Sequence, residues 1–252
     1  MKPFYPLLLA LQFLTQIPVR LKQPYGEREI GASLLYYPLV GLLLGALLAV
    51  LHSLLYGVPL LLHAALLLAA WVVMTGALHL DGLADSADAW LGGIGNRERT
   101  LAIMKDPYAG SAAVVAVVLV LLLKFSALVG LMQCDNDWAL LWPLLLARSA
   151  VPLLFLTTPY VRPGGLGEAL AQHAPRRALM LMLLATLLAV LAVLGLRGAL
   201  LVLGCLALFW LLRRMMMARL GGTTGDTAGA LLELLETAVL ILWVLMDTRA
   251  CS

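Results

Sequence analysis

Long uninterrupted runs of Leu, Ala and Val constrain this chain more than any other feature it has. A helix needs roughly 20 apolar residues to cross the ~30 Å hydrocarbon core of a bilayer. Runs bounded by charge, Pro or Gly give seven candidate spans, at about 34–56, 58–78, 112–134, 138–158, 178–196, 199–217 and 228–246. Composition agrees: 63% of the 252 residues are hydrophobic and 12% charged, against about 45–50% and about 25% in soluble domains. Those figures exclude an ordinary soluble domain and a disordered chain. Cys134, Cys205 and Cys251 are scattered without a CxxC, which excludes a disulfide scaffold or a cysteine metal centre. The expected fold is an all-α, polytopic membrane bundle, a single membrane-embedded domain over 1–252.

Basic residues sort by side. Lys2, Arg20, Lys22 and Arg28 precede span one; Arg97, Arg99 and Lys105 follow span two; Arg162, Arg176 and Arg177 follow span four; Arg213, Arg214 and Arg219 follow span six. Arg197 and Arg249 fall on the other face, and Lys124 and Arg148 lie inside spans. By the positive-inside rule the N-terminus is cytoplasmic. The net charge of +3 is accounted for by this topology, so nothing points to nucleic acid. In the N-terminal segment, 1–33, Leu7, Leu11, Leu14 and Ile17 share a helical face. With no cleavage-site pattern and too little length to span, this reads as a helix lying in the cytoplasmic interface. Gly41 and Gly45 in span one form a GxxxG, the pattern of close helix packing.

Fourteen acids are scarce in such a chain, and they cluster. In the polar segment 79–111, Asp81, Asp85 and Asp88 follow His79 at i, i+4 and i+7 from Asp81, which puts them on one helical face about 6 Å apart. Like charges at that distance repel by about 3 kcal/mol per pair at an effective dielectric of about 20. Hard oxygens without basic neighbours are the usual setting for Mg²⁺ beside a phosphate. A second segment runs Leu220-Gly-Gly-Thr-Thr-Gly-Asp226 to Glu233 and Glu236, with the three acids again on one face. Acids in a span are functional by default, pairing with Lys124 or Arg148 being the alternative. Amides of Gly222, Thr224 and Gly225, ahead of a helix start, suit phosphate oxygens. Lys105 can neutralise a phosphate, Asp106 can join a metal shell, and His79 can act as a base. His52, His63 and His173 have no chemical company in the sequence.

The strings HLDGLADSADAW, IMKDPYAG and LGGTTGDTAGALLELLE, together with FLTQIPVR and YYPLVGLLLGALL nearer the N-terminus, resemble the cobalamin synthase family of adenosylcobinamide-GDP ribazoletransferases. The resemblance covers nearly the whole chain. It implies an inner-membrane, Mg²⁺-using enzyme that joins adenosylcobinamide-GDP to α-ribazole or its 5′-phosphate and releases GMP; the charge distribution puts both acid segments on the cytoplasmic side. Carried onto this chain, it makes Asp81, Asp85 and Asp88 metal ligands, with Asp226 and Glu233 completing the site or holding a second ion. Lys105 and the Gly/Thr turn would hold the GDP phosphates, and His79 or an acid would take the hydroxyl proton. Oligomeric state is open, a homo-oligomer included.

Two other classes compete. CDP-alcohol phosphotransferases also place an Asp-Gly pair and further aspartates at a cytoplasmic helix end, but here Ala84 is followed by Asp85 where an Arg is expected. A cation transporter would put acids in spans, although at the midplane and within inverted repeats, which this sequence lacks.

Overall fold

The computed structural model describes residues 4–19, 21, 26–133, 137–164 and 166–247. Lys2, Arg20, Lys22, Cys134, Arg249 and Cys251 of the sequence reading lie outside these. The described residues form helices without strands: α1 Tyr5–Leu14, α2 Glu27–Ser33, α3 Tyr37–Leu54, α4 Leu60–Thr75, α5 Leu78–Gly92, α6 Arg97–Ile103, α7 Ser111–Met132, α8 Leu141–Thr157, α9 Leu166–Gln172, α10 Arg176–Leu220 and α11 Gly225–Asp247. Five helices are long and apolar enough to cross a membrane, and α4 with α5 passes the same test only as a bent pair.

Two of these elements depart from straight geometry. Between α4 and α5 the chain turns by 87°, through Gly76 (φ 62°) and Ala77 (φ 55°), both in the left-handed region. The left-handed φ at Gly76 favours glycine there, and the end of the Gln16 side chain fills the space where a Cβ would project. The acidic segment is therefore a helix of its own, not the tail of span two. The other departure is α10. At about 1.5 Å per residue its 45 residues would reach about 68 Å if straight, over twice the hydrocarbon thickness. At Gly195 the backbone leaves helical geometry (φ 54°, ψ −127°). Arg176 donates to the Leu156 carbonyl and Arg213 to the neighbouring Thr157 carbonyl, which requires the chain to double back between them. The two arms are the fifth and sixth of the seven expected spans.

α8 is the centre of the bundle and is buried along nearly its whole length. It packs against α3 on one side and α11 on the other. The GxxxG does what its pattern implies: a Cβ on Gly45 would stand 2.7 Å from the Leu141 Cα, and one on Gly41 would collide with the Leu144 carbonyl. Outward faces are apolar, with Leu181, Leu188, Val193, Leu196 and Leu203 of α10 exposed. Apolar surface on that scale belongs against lipid rather than water. The N-terminal helix α1 is too short to span and packs on α2 and α3 through Leu9, Ala10 and Leu14.

Charge is segregated along the bundle. Arg97 bonds the Leu220 carbonyl at 2.7 Å, Arg219 the Trp90 carbonyl at 2.8 Å, and Arg162 the Asp226 carboxylate, all at one end. Arg197 pairs with Asp247 at 2.6 Å, at the opposite end of α11. His52 and His63, without apparent partners in the sequence, face each other across α3 and α4, with Nδ1 and Nε2 2.9 Å apart.

Candidate active site

The site is built where α5 crosses the start of α11. A Cβ on Gly82 would stand 2.7 Å from the Asp226 carbonyl, and one on Gly229 would stand 3.4 Å from the His79 Cα. At Gly229 a Cβ would be in ordinary van der Waals contact; glycine at position 82 is what lets the backbones come this close. That contact sets Asp81 and Asp85 beside Asp226, so the two acidic segments meet. Asp85 feels Asp81, Asp226 and Asp88 as repulsive neighbours and Arg162 as an attractive one.

α11 starts where it does because its first turn is closed internally. The Thr227 amide donates to the Thr224 hydroxyl at 3.2 Å, and the Thr227 hydroxyl accepts from the Thr224 amide at 2.9 Å, a reciprocal cap. Thr223 pairs with Tyr160 as a short parallel bridge, its amide donating to the Pro159 carbonyl at 2.8 Å and its carbonyl accepting from Val161 at 3.0 Å. Gly222 packs on the Pro159 carbonyl. The expectation of an open phosphate cradle is thus modified: Gly222 and Thr224 are buried and the amides of Thr223, Thr224 and Thr227 are already used. Gly225 remains exposed at the rim.

The aspartates have separate tasks. Asp88 turns away from the others: its carboxylate accepts from the Gly110 amide at 2.5 Å and the Ala113 amide at 2.9 Å, capping α7 from outside. Asp226 accepts from Arg162 Nη1 at 2.9 Å, and the Nη2 of the same guanidinium bonds the Met104 carbonyl at 3.2 Å. Lys105 follows Met104 and is exposed near the site; Asp106 is exposed and accepts from the Tyr108 amide at 3.1 Å. Burial pushes the Tyr160 hydroxyl above its ordinary range, so it is a neutral donor at physiological pH.

Glu233 lies elsewhere. It shares a helical face with Asp226 but stands seven residues further along, about 10 Å deeper. There it meets Lys124 at 2.5 Å, and Glu236 is held between Lys124 at 2.6 Å and Arg148 at 2.5 Å. All four are at most 3% exposed. Two acids and two bases neutralise one another between α7, α8 and α11, so Glu233 serves Lys124 rather than the aspartate face. Helical periodicity fixed its direction, whereas its depth and its partners on other helices are tertiary facts.

His79 is buried and its Nδ1 has no hydrogen-bond partner among the described residues. It lines a groove of about 160 Å³ with Asp81, Gly82, Gly225 and Asp226, walled by Phe13, Tyr37 and Phe155. A larger cavity of about 560 Å³ opens on the far side of Arg162. Arg162, which sits in the contact between the two, was not singled out in the sequence. The signal available there was a basic residue in the second polar stretch, after Pro159-Tyr160, on the same side as the acids.

Fold and site together define a class: an all-helical bundle with membrane-spanning helices and an arginine-bordered aspartate site at one end. More narrowly, the chain belongs to the cobalamin-5-phosphate synthase family, whose pattern matches residues 6–244. It is 62% identical over 241 residues to the adenosylcobinamide-GDP ribazoletransferase of Pseudomonas fluorescens Pf-5, covering 96% of this chain and 98% of that one. Its identity to the protein of that name from Pseudomonas putida GB-1 is 61% over 236 residues, 94% and 97% of the two chains. For Pseudomonas paraeruginosa PA7 it is 59% over 235 residues, 93% and 96%. No solved structure matches the chain.

Proposed function

We propose that this chain is an Mg²⁺-dependent adenosylcobinamide-GDP ribazoletransferase of the inner membrane, with its aspartate site facing the cytoplasm. The observation that carries the reading is the meeting of Asp81 and Asp85 with Asp226 across Gly82, in a chain that belongs to the family over residues 6–244. Sidedness is supported by the gathering of Arg97, Arg162, Arg176, Arg213 and Arg219 at the site's end of the bundle.

Asp81, Asp85 and Asp226 are hard oxygen donors, the chemistry that Mg²⁺ prefers, and Mg²⁺ is commonly held by one or two carboxylates with waters and substrate phosphates. Among the described residues no three ligating side chains close into a cage, which is compatible with a shell completed by the substrate. When bound, the ion neutralises charge on the oxygens of the transferring phosphoryl group.

The residues of the chain divide the remaining work. The ribose 3′-hydroxyl of the acceptor attacks the phosphorus that carries cobinamide; the new O–P bond forms as the anhydride bond to GMP breaks. Asp85, whose neighbours on the shared face are Asp81 and Asp226, receives the hydroxyl proton, and His79, which lines the groove with Asp81 and Asp226, is the second group able to do so. Arg162 orients Asp226 and offers charge to the phosphates, and Lys105 stands at the rim for the departing GMP. Apolar walls from Phe13, Tyr37 and Phe155 keep bulk water from the groove.

Release of GMP from adenosylcobinamide-GDP by protein purified in detergent, with acceptor and with or without Mg²⁺, tests the reading. Turnover that needs both acceptor and Mg²⁺ is expected; an absence of GMP release with either acceptor at saturating Mg²⁺ overturns it.

A further inference from the structure

The cavity of about 560 Å³ lies between the end of α8, the extended segment after it and α9, with Phe155, Tyr160, Arg162, Glu168, Gln172 and Arg176 in its lining. Its volume falls in the range of about 300–1,000 Å³ that encloses ligands of drug size. A single nucleoside phosphate is of that size, whereas a corrin macrocycle with its substituents is several times larger. The half-buried Tyr160 ring, backed by the buried Phe155 ring stacked on it with centroids 6.1 Å apart at 25°, gives one wall the flat apolar character that a fused aromatic base packs against.

Charge in the cavity has a direction. Arg162 stands at the end next to the aspartates and is bound to Asp226. Arg176 stands at the other end of the segment 156–162, fixed by one bond of 2.8 Å to the Leu156 carbonyl. A guanidinium has five N–H donors, and among the described residues Arg176 makes no ion pair, so its charge faces solvent and cavity. The acid in the lining, Glu168, is engaged, accepting from the Gly164 amide at 2.6 Å and from Gln172 Nε2 at 2.9 Å.

We propose that this cavity is the acceptor subsite and that Arg176 reads the acceptor's 5′-phosphate. An acceptor must present its ribose 3′-hydroxyl to the aspartates, at the Arg162 end. Its aromatic base then lies on the Phe155–Tyr160 wall and its 5′ substituent points away from the acids, toward Arg176. The guanosine half of the donor carries no phosphate remote from the reacting centre, so it has no use for a cation there. The inference rests on the transferase reading above and names the residue that sets the choice between α-ribazole and α-ribazole 5′-phosphate.

The experiment measures KM for α-ribazole 5′-phosphate, α-ribazole and adenosylcobinamide-GDP in wild-type protein, Arg176→Gln and Arg176→Lys, each checked for folding by thermal melting in detergent. In Arg176→Gln, KM for α-ribazole 5′-phosphate is expected to rise at least tenfold and KM for α-ribazole less than threefold, with part of the loss restored in Arg176→Lys. Equal losses for both acceptors, a change confined to the donor's KM, or an unaltered preference in folded Arg176→Gln would each overturn the proposal. A wild-type protein without turnover on either acceptor would instead refute the transferase reading itself.

Discussion

Gly82 of α5 lies so close to Asp226 of α11 that a methyl carbon added to it would stand 2.7 Å from the Asp226 carbonyl oxygen. The obstacle is backbone, which cannot swing aside as a side chain could. Gly82→Ala must therefore separate the helices and, with them, the aspartates. Overpacking of this kind costs about 1–3 kcal/mol, so a lowered melting temperature together with at least a tenfold loss of GMP release is expected. Unchanged turnover would show that the site does not depend on this crossing.

Asp85 and Asp88 are three residues apart and should answer differently to the same substitution. Asp85→Asn removes charge from the face shared with Asp81 and Asp226, and turnover should fall by about 10²-fold, roughly 2.7 kcal/mol of transition-state energy, with melting unchanged or improved. Asp88→Asn removes one of two acceptors that cap α7, so the loss should fall on stability, about 1 kcal/mol. Titration of Mg²⁺ against activity in both variants separates them: only Asp85→Asn should require more ion.

Arg162→Leu breaks an ion pair whose side chains are 24% and 19% exposed. Partly solvated pairs contribute about 0–1 kcal/mol, so the fold should barely register the change. Turnover should nevertheless drop by about tenfold or more as Asp226 loses its orienting partner. Activity and melting temperature measured on one preparation would reveal any parallel loss, which would make Arg162 merely structural.

Lys124→Met leaves Glu233 and Glu236 in a dry interior with Arg148 as the remaining base. Breaking a buried pair by removing one partner costs about 3–5 kcal/mol, enough to reduce the yield of folded protein in detergent. The double variant Lys124→Met, Glu233→Gln restores charge balance and should recover part of that yield. No recovery would mean that the aliphatic packing of Lys124, which also stands 4.7 Å from the Trp71 ring centroid, matters more than its charge.

Sidedness can be read by labelling single cysteines in a background without the native ones. Tyr56, exposed in the α3–α4 connection, should react with an impermeant reagent from outside intact cells after Tyr56→Cys. Asn96→Cys should react only after lysis. The reverse pattern would invert the proposed topology and with it the access of nucleotide to the site.

Much of this was legible in the sequence because it depended on local regularity. Apolar runs of span length gave the bundle, Gly41 and Gly45 the tight crossing, and the i, i+4, i+7 pattern the face shared by Asp81 and Asp85. What stayed hidden depended on neighbours from distant elements. Asp88 fits the acidic face by periodicity and yet caps α7, because the α6–α7 connection folds back over it. The turns at Gly76–Ala77 and the closing of the α11 start on its own threonines are likewise set by packing against Gln16 and Pro159, which no local pattern announces.

The Asp88 cap, the Lys124 ion pairs and the Gly82 crossing join α5 to α7, α7 to α11, and α11 back to α5. Three members braced pairwise form a truss: no one of them can slide along its axis without breaking a joint with another. Repulsion among Asp81, Asp85 and Asp226 is therefore borne by the framework itself, before any ligand arrives. A cation entering between them would meet charges already held in place, with little reorganisation left for the moment of reaction.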